Sequence, residues 1–452
     1  MNSTTSWTCA VCGFSTSGKL APVSCPVCAA PAEEFEYIKK NQEEVKSGNS
    51  ETIVIIGGGI AALSAATEAR RTSRDSSITI LSKEKELIYY RLNLTRFVAG
   101  EISEKLLPIN PEKWYRDNKI EIHLNSEVSD IDIQLKKLQC SGKSYTYSKL
   151  IIASGSHAFI PQIPGADKKN VTVLRTAEDA RFIISRSGSG KHCVIIGGGI
   201  LGLEIAGALA VKGAKVSLLE GYGHLLPRQL NEKASASLEK FACDLGIHII
   251  KNASVQKIHG GANASEVELA DGRKIPCSLI VIAAGVRPNT WFARTAGITV
   301  NNGIIVDDYM RTNISDVFAA GDCAEHRGVL YGIWSPAQIQ GTIAGANAAG
   351  AVQTFTGVPR SNMLKVLGYD LFSIGQIQIN DASTVELEEI GSDTYACFLC
   401  RDGYVTGAIL CGDTSLSAAV KYAIEKKIRI ESALDSGKSI TALKALLAQS
   451  KA

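Results

Sequence analysis

IVIIGGGIAAL at 53–63 returns as CVIIGGGILGL at 193–203, and LIIASG at 150–155 returns as LIVIAAG at 279–285. No other feature narrows so far what this chain can fold into. Each half opens with an apolar run of strand length, breaks at three glycines and continues as a stretch with helical character. A second apolar run follows, SITILS at 77–82 and KVSLLE at 215–220. Runs that are apolar throughout belong to strands covered on both faces. Their alternation with helices predicts parallel sheets in an α/β chain. The repeat therefore predicts two nucleotide-binding units.

The glycines say what those units hold. Gly197, Gly199 and Gly202 complete a GxGxxG after a strand, and Glu220 ends the next strand. The spacing allows a tight turn, close approach of a pyrophosphate and close packing of strand on helix, with the helix N-terminus facing the phosphates. A carboxylate at Glu220 accepts ribose hydroxyls and repels a 2′-phosphate, which favours NADH over NADPH. The first unit has Gly57, Gly59 and Ala62, a GxGxxA variant. Its acid is less clear: Glu84, two residues past Ser82, is either a ribose contact or an exposed charge in SKEKE. Two such sites in one chain suit a bound flavin dinucleotide visited by a nicotinamide dinucleotide.

Four cysteines precede both units, as Cys9-x₂-Cys12-x₁₂-Cys25-x₂-Cys28. Two such knuckles in a reducing compartment predict a tetrahedral thiolate metal site, which iron and zinc both accept. KKNQEEVKSGNS at 39–50 reads as a linker, reaching roughly 20 Å as a flexible coil. From about 354 short strands (VELEEI, YACFLC, VTGAIL) mix with a helix near 415–427, as in a small α+β domain. Cys397 and Cys400 form a CxxC there, but on an apolar strand with no second pair, so core packing is expected. The net charge is only +3 with no basic block, and neither nucleic acid nor an anionic membrane is expected as a main partner. No apolar run approaches the ~20 residues of a membrane span. The opening MNSTTSWTCAVCG has no signal-peptide pattern, so the cytoplasm is the expected compartment.

Several motifs between 52 and about 430 resemble the two-dinucleotide flavoprotein reductases, the pyridine nucleotide-disulfide oxidoreductase superfamily. TNISDVFAAGDCAE at 312–325 is similar to that family's second FAD motif, and the resemblance assigns Asp322 to the ribityl chain. AAGVRPN at 283–289, with Gly285, resembles the strand end beside the nicotinamide dinucleotide. GIWSPAQIQG at 332–341, with Trp334, resembles the helix start beside the flavin ring, and GLE ending at Glu204 the helix residue near the nicotinamide. Val128 and Gly155 are further cofactor-binding positions on the same resemblance. Disulfide reductases of the family carry a redox-active cysteine pair after the first glycine-turn helix. Here no cysteine stands between 29 and 139. Instead IYYRLNLTR at 88–96 resembles the PYxRxxLxK stretch of the NADH:rubredoxin and ferredoxin reductase branch, where a cation lies beside the flavin. Arg91 matches the arginine, and Arg96 stands where others have lysine. The alternative is that both arginines are phosphate or surface contacts. The resemblance makes Arg96 and Glu204 the catalytic candidates.

WTCAVCGF…APVSCPVCAAPAEEFEYI resembles the rubredoxin-type domain of rubrerythrins, in which Trp7, Phe14 and Phe35 would shield an iron. Ala29 departs from the glycine usual after the second knuckle, a change that either tunes the potential or marks a zinc ribbon. The expected architecture is two Rossmann-like domains, one for FAD (51–160 and 285–353) and one for NADH (161–284). A rubredoxin-like domain (1–38), the linker (39–50) and an α+β domain (354–452) complete it. The expected activity is electron transfer from NADH through FAD to the four-cysteine iron, then to a redox protein such as rubredoxin, rubrerythrin or a flavo-diiron protein, in removal of oxygen or peroxide. Two alternatives stay open. One is an NADH oxidase or ferredoxin reductase with a structural zinc ribbon, and the other is an NAD-responsive redox sensor. A homo-oligomer is also left open.

Overall fold

The computed structural model describes residues 6–9, 15–17, 20–23, 25, 32, 35–38, 50–358, 361–366, 369–379, 381–431 and 439–450. The first apolar runs, Thr52–Ile56 and Ser77–Leu81, lie side by side in a five-stranded sheet, buried at every residue but the first. Its order is Val317–Ala319, Lys149–Ile152, Thr52–Ile56, Ser77–Leu81 and Ile120–His123, all parallel. The second half repeats the plan in the order Val171–Thr172, Leu279–Ile282, His192–Ile196, Lys215–Leu219 and Ile247–Ile250. In both sheets the strand before the glycine turn sits mid-sheet, where the chain first builds outward one way and later returns on the other side. Strand ends part at such a switch point, and a crevice opens there.

Two helices cover the first sheet at unusually close range. In Ile60–Thr72 and Trp334–Ala348, a Cβ added to Gly341 would lie 2.3 Å from the Ala61 carbonyl oxygen, and one on Gly345 2.1 Å from that of Ala65. The absent side chains let the backbones touch. That contact brings the N-termini of both helices to the same crevice.

Two three-stranded antiparallel ribbons, Val128–Thr146 and Val255–Pro276, decorate the two sheets. The C-terminal segment forms a five-stranded antiparallel sheet, ordered Ser361–Val366, Tyr369–Gly375, Tyr404–Cys411, Tyr395–Arg401 and Val385–Ile390. Its residues alternate between two cores. Tyr395, Cys397 and Leu399 pack with the second parallel domain, while Ala396, Phe398 and Cys400 pack against helices Ser417–Lys426 and Ile440–Ser450. Cys397 and Cys400 are therefore buried on opposite faces, as core residues and not a paired site. At the N-terminus Ser6–Cys9 is the central strand of a small antiparallel sheet with Ser15–Ser17 and Phe35–Ile38. Among the described residues, no helix is long and apolar enough to cross a membrane.

Candidate active site

The two glycine turns are built alike. Gly57 has φ +137, and a Cβ there would sit 2.0 Å from the Ala153 carbonyl oxygen; Gly197 has φ +113, and its Cβ would sit 2.5 Å from that of Ala283. Neither position admits a side chain. At the third position Gly202 is equally tight, 1.9 Å from the Gly197 carbonyl oxygen, and Ala62 takes that place in the first turn, fully buried. The middle glycines, Gly59 and Gly199, face open space. Each is the N-cap of its helix and has no side-chain cap. Unfilled amides beside an open approach are what a pyrophosphate requires, so both turns fit a dinucleotide.

The strand ends differ. Glu220 is 5% exposed; its Oε2 accepts the Gly198 amide and its Oε1 the Tyr222 amide, both at 2.9 Å. The amides fix the carboxylate against the turn and leave each oxygen a lone pair for a sugar. In the first unit this place, beside Gly58, belongs to Ser82. Glu84 is turned elsewhere: Tyr89 donates its hydroxyl to Oε2 at 2.5 Å, and Arg91 pairs with Oε1 at 2.6 Å. Arg91 also donates to the Arg175 carbonyl oxygen, just before helix Ala177–Arg186. Asp322 accepts from the Ser156 hydroxyl at 2.8 Å and from Arg175 at 2.9 Å. Neither Arg175 nor Ser156 was anticipated from sequence. The signal for Arg175 is the capping box that follows it, Thr176 with Asp179.

Ser82, Glu84, Arg91, Ser156, Arg175 and Asp322 line one continuous cleft of about 2080 Å³, well above the ~300–1,000 Å³ of an ordinary ligand pocket. Gly57, Gly59, Glu84, Arg91, Val128, Gly155, Asp322 and Trp334 all reach it from the first domain, and Glu204 from the second. Gly197, Gly199, Gly202, Glu220 and Gly285 do not line it; Gly285, at φ +105, faces open space. The helix that begins at Trp334 points its N-terminus into the cleft, where its dipole favours negative charge. Trp334 stacks on Tyr90, with ring centroids 5.6 Å apart. Glu204 opens onto the cleft yet lies deep in protein, and burial pushes its carboxyl up to about 7. Its partner is the Thr95 hydroxyl at 3.2 Å. Arg96 lines the same cleft and pairs with Glu101 at 3.0 Å, so it is Thr95 that the structure brings to Glu204.

The pattern of the family described as pyridine nucleotide-disulphide oxidoreductase matches residues 51–352. The chain belongs to this family. Residues 361–428 match the rubredoxin NAD+ reductase C-terminal domain, and residues 7–36 the rubredoxin-like domain of rubrerythrin. The NAD(P)H nitrite reductase of Bacillus subtilis is 33% identical over 382 residues, 84% of this chain and 48% of that one. The NADH-rubredoxin oxidoreductase of Clostridium acetobutylicum is 33% identical over 377 residues, 83% of this chain and 95% of that one. The chain thus spans about half the length of the first of these relatives and nearly all of the second. A crystal structure of the NADH:rubredoxin oxidoreductase from Clostridium acetobutylicum superposes with a TM-score of 0.71 at 30% identity, covering 87% of this chain and 99% of that one. The fold and family expected from sequence are borne out.

For a pyridine nucleotide-disulphide oxidoreductase the cysteines are placed unusually. Among the described residues, the cysteines on the cleft wall are Cys9 and Cys25, both from the rubredoxin-like domain. Cys323 lies near the FAD motif, but its thiol is buried and donates to the Ile152 and Ala320 carbonyl oxygens. Cys9 and Cys25 are themselves buried, at 0% and 2% exposure, and Phe35 packs into the same small domain. Cys12, Cys28, Phe14, Ala29 and linker residues 39–49 lie outside the described residues. Four thiolates are a donor set that suits a tetrahedral metal.

Proposed function

We propose that the chain is an NADH-dependent flavoprotein reductase that passes electrons from NADH through FAD to an iron centre at Cys9, Cys12, Cys25 and Cys28, and on to a redox protein. One observation carries the reading. The body of the chain presents no thiol to the cleft among the described residues, and Cys9 and Cys25 stand on its wall instead. The relay role that other members give to a disulphide thus falls to the metal ligands. Bound flavin supplies the conversion between a two-electron hydride donor and a one-electron acceptor. The protein's part is to hold the partners. Gly57, Gly59 and Ala62 seat the FAD pyrophosphate, and Gly197, Gly199 and Gly202 seat that of NADH. Glu220 takes the NADH ribose. Asp322 orients the ribityl chain, with Arg175 and Ser156 fixing it in turn. The helix dipole at Trp334 stabilises negative charge on the ring.

The acceptor beyond the chain is a small one-electron carrier or an oxygen- or peroxide-reducing protein, such as rubredoxin, rubrerythrin or a flavo-diiron protein. The name NADH-rubredoxin oxidoreductase, borne by the relative of near-equal length, supports that choice. A cytoplasmic setting fits thiols that must stay reduced. Metal analysis and a visible spectrum of protein purified without air test the reading. About one iron and one FAD per chain, with ferric-thiolate absorbance, are expected from a four-thiolate site and one flavin site. Stoichiometric zinc after expression in iron-rich medium would remove the N-terminal domain from the electron path.

A further inference from the structure

Electron transfer of this kind leaves a proton over. NADH gives two electrons and one proton as hydride, whereas ferric thiolate centres take electrons alone. The balance is NADH + 2 Fe³⁺ → NAD⁺ + 2 Fe²⁺ + H⁺. Given the reading above, one proton per NADH must leave a cleft whose walls are mostly apolar. We propose that the Glu204 carboxylate takes up this proton inside the cleft and passes it to solvent, with the Thr95 hydroxyl holding the carboxylate in place.

The geometry points to Glu204 in three ways. It lies on helix Ile200–Val211, just past the second glycine turn, on the stripe Leu201, Glu204, Ala208 and Val211 that faces the cleft. The other members of the stripe are apolar, so packing alone would be served by another leucine or alanine. The carboxyl has a hydrogen-bond donor, Thr95, reaching across from helix Leu94–Ala99. Its pKa is governed by burial, which raises it, and by the Thr95 bond, which opposes the rise. No charge of the described residues enters that balance. Arg96, beside Thr95, pairs with Glu101. The strands packed on the helix carry His192, Lys215 and His248. The strand Ser361–Val366 carries Lys365, whose side chain is outside the described set. Lys421 and Glu425 lie further along the cleft wall. A carboxyl whose charge changes near neutrality can both accept a proton and release it, which a group fixed in one state cannot do.

The atoms balance simply. The proton that entered with the hydride is left in the cleft as the electrons depart. An O–H bond forms on Glu204 and then breaks as the proton passes to water. Only the ionised carboxylate can accept, so release is fast above about pH 7 and slow below it.

The test uses the FAD-loaded full chain, reduced with NADH and mixed with ferricyanide as a one-electron acceptor, across pH 5.5–9 (roughly the span over which such a group titrates). Wild-type flavin reoxidation should rise with pH through about 7 and level off. In Glu204→Gln the rise should vanish and the plateau fall by about tenfold or more, the low end of proton-transfer effects. Thr95→Val should move the break to higher pH, because it removes the bond that opposes the upward shift, and Thr95→Ser should restore it. An infrared pH titration gives a readout apart from turnover. A carboxylic C=O band should disappear with the same midpoint in wild type, be absent in Glu204→Gln and shift upward in Thr95→Val. If Glu204→Gln fails to retain FAD, Thr95→Val decides, and an unmoved break and band overturn the proposal. A wild type that reduces its flavin but gives ferricyanide no electrons overturns the functional reading and this proposal with it. A wild type that does deliver electrons, while Glu204→Gln keeps the same rate and pH rise, overturns the proposal alone.

Discussion

Glu220 and Ser82 occupy equivalent strand ends, and the difference between an acid and a hydroxyl there bears on which sugar each site admits. The Glu220 carboxylate is fixed by two backbone amides, so it cannot swing away from a 2′-phosphate brought to the ribose. Like charges in such a site cost several kcal/mol, and each ~1.4 kcal/mol is tenfold in efficiency. NADH should therefore exceed NADPH by about 100-fold or more in kcat/KM, and Glu220→Ala should close most of that gap. Equal wild-type values would show that Glu220 does not meet the ribose. This site was legible because a complete GxGxxG fixes the register of the acid that follows. The first site was less so. A search for an acid finds Glu84, whereas the strand-end position is Ser82 and both Glu84 oxygens are taken by Tyr89 and Arg91. Arg96 and Thr95 show the same limit at finer grain. Neighbours on a helix point about 100° apart, and a motif match does not say which of the two turns toward Glu204. Arg175 is marked in sequence only by the capping box that follows it, and folding brings it to Asp322.

Among the elements, those read most readily were the ones with the strongest burial. Thr52–Ile56, Ser77–Leu81, His192–Ile196, Lys215–Leu219 and Leu279–Ile282 are apolar throughout because both faces are covered, and the repeat marked them twice. The antiparallel ribbons at 128–146 and 255–276 escaped notice because their strands are short and expose polar residues on one face. The strand Val317–Ala319 pairs with Lys149–Ile152 far back in the chain, a partnership that no local pattern encodes. The contact between helices Ile60–Thr72 and Trp334–Ala348 is a sharper case. Gly341 and Gly345 each meet a carbonyl oxygen of the facing helix, and backbone cannot rotate aside as a side chain can. Gly345→Val should destabilise the protein by about 1–3 kcal/mol, as overpacking does. It should also reduce FAD retention, because the same displacement moves both helix N-termini away from the cofactor. Gly261→Ala, in open space at an ordinary backbone angle, is the control and should change neither the melting temperature nor the flavin content. A Gly345→Val protein that melts lower but keeps its FAD would show that the helix contact serves stability alone.

At the scale of the whole molecule the question is whether the four-cysteine domain works on its own chain. Residues 39–50 separate it from the first glycine turn by a polar stretch, and joining two modules in one short chain raises the effective concentration of one at the other toward millimolar. Cys9 and Cys25 stand on the cleft wall. Electrons should then run from NADH to FAD to the N-terminal iron within one molecule. Removing residues 1–50 should leave FAD reduction by NADH intact, since both glycine turns and Glu220 remain. It should abolish or greatly slow delivery to one-electron protein acceptors. Cys9→Ser should resemble the truncation, because three thiolates and a hydroxyl hold iron poorly. Stopped-flow mixing with NADH supplies the order of events: flavin bleaching first, then iron bleaching at a rate that does not depend on protein concentration. Iron reduction that accelerates with protein concentration would mean transfer between molecules, with the tether serving only to keep the domain nearby. An unchanged acceptor rate in the truncated protein would mean that partners draw electrons directly from the flavin cleft. The apolar wall around Leu201, Val211 and Trp291, each substantially exposed, would then be the surface on which to look for them.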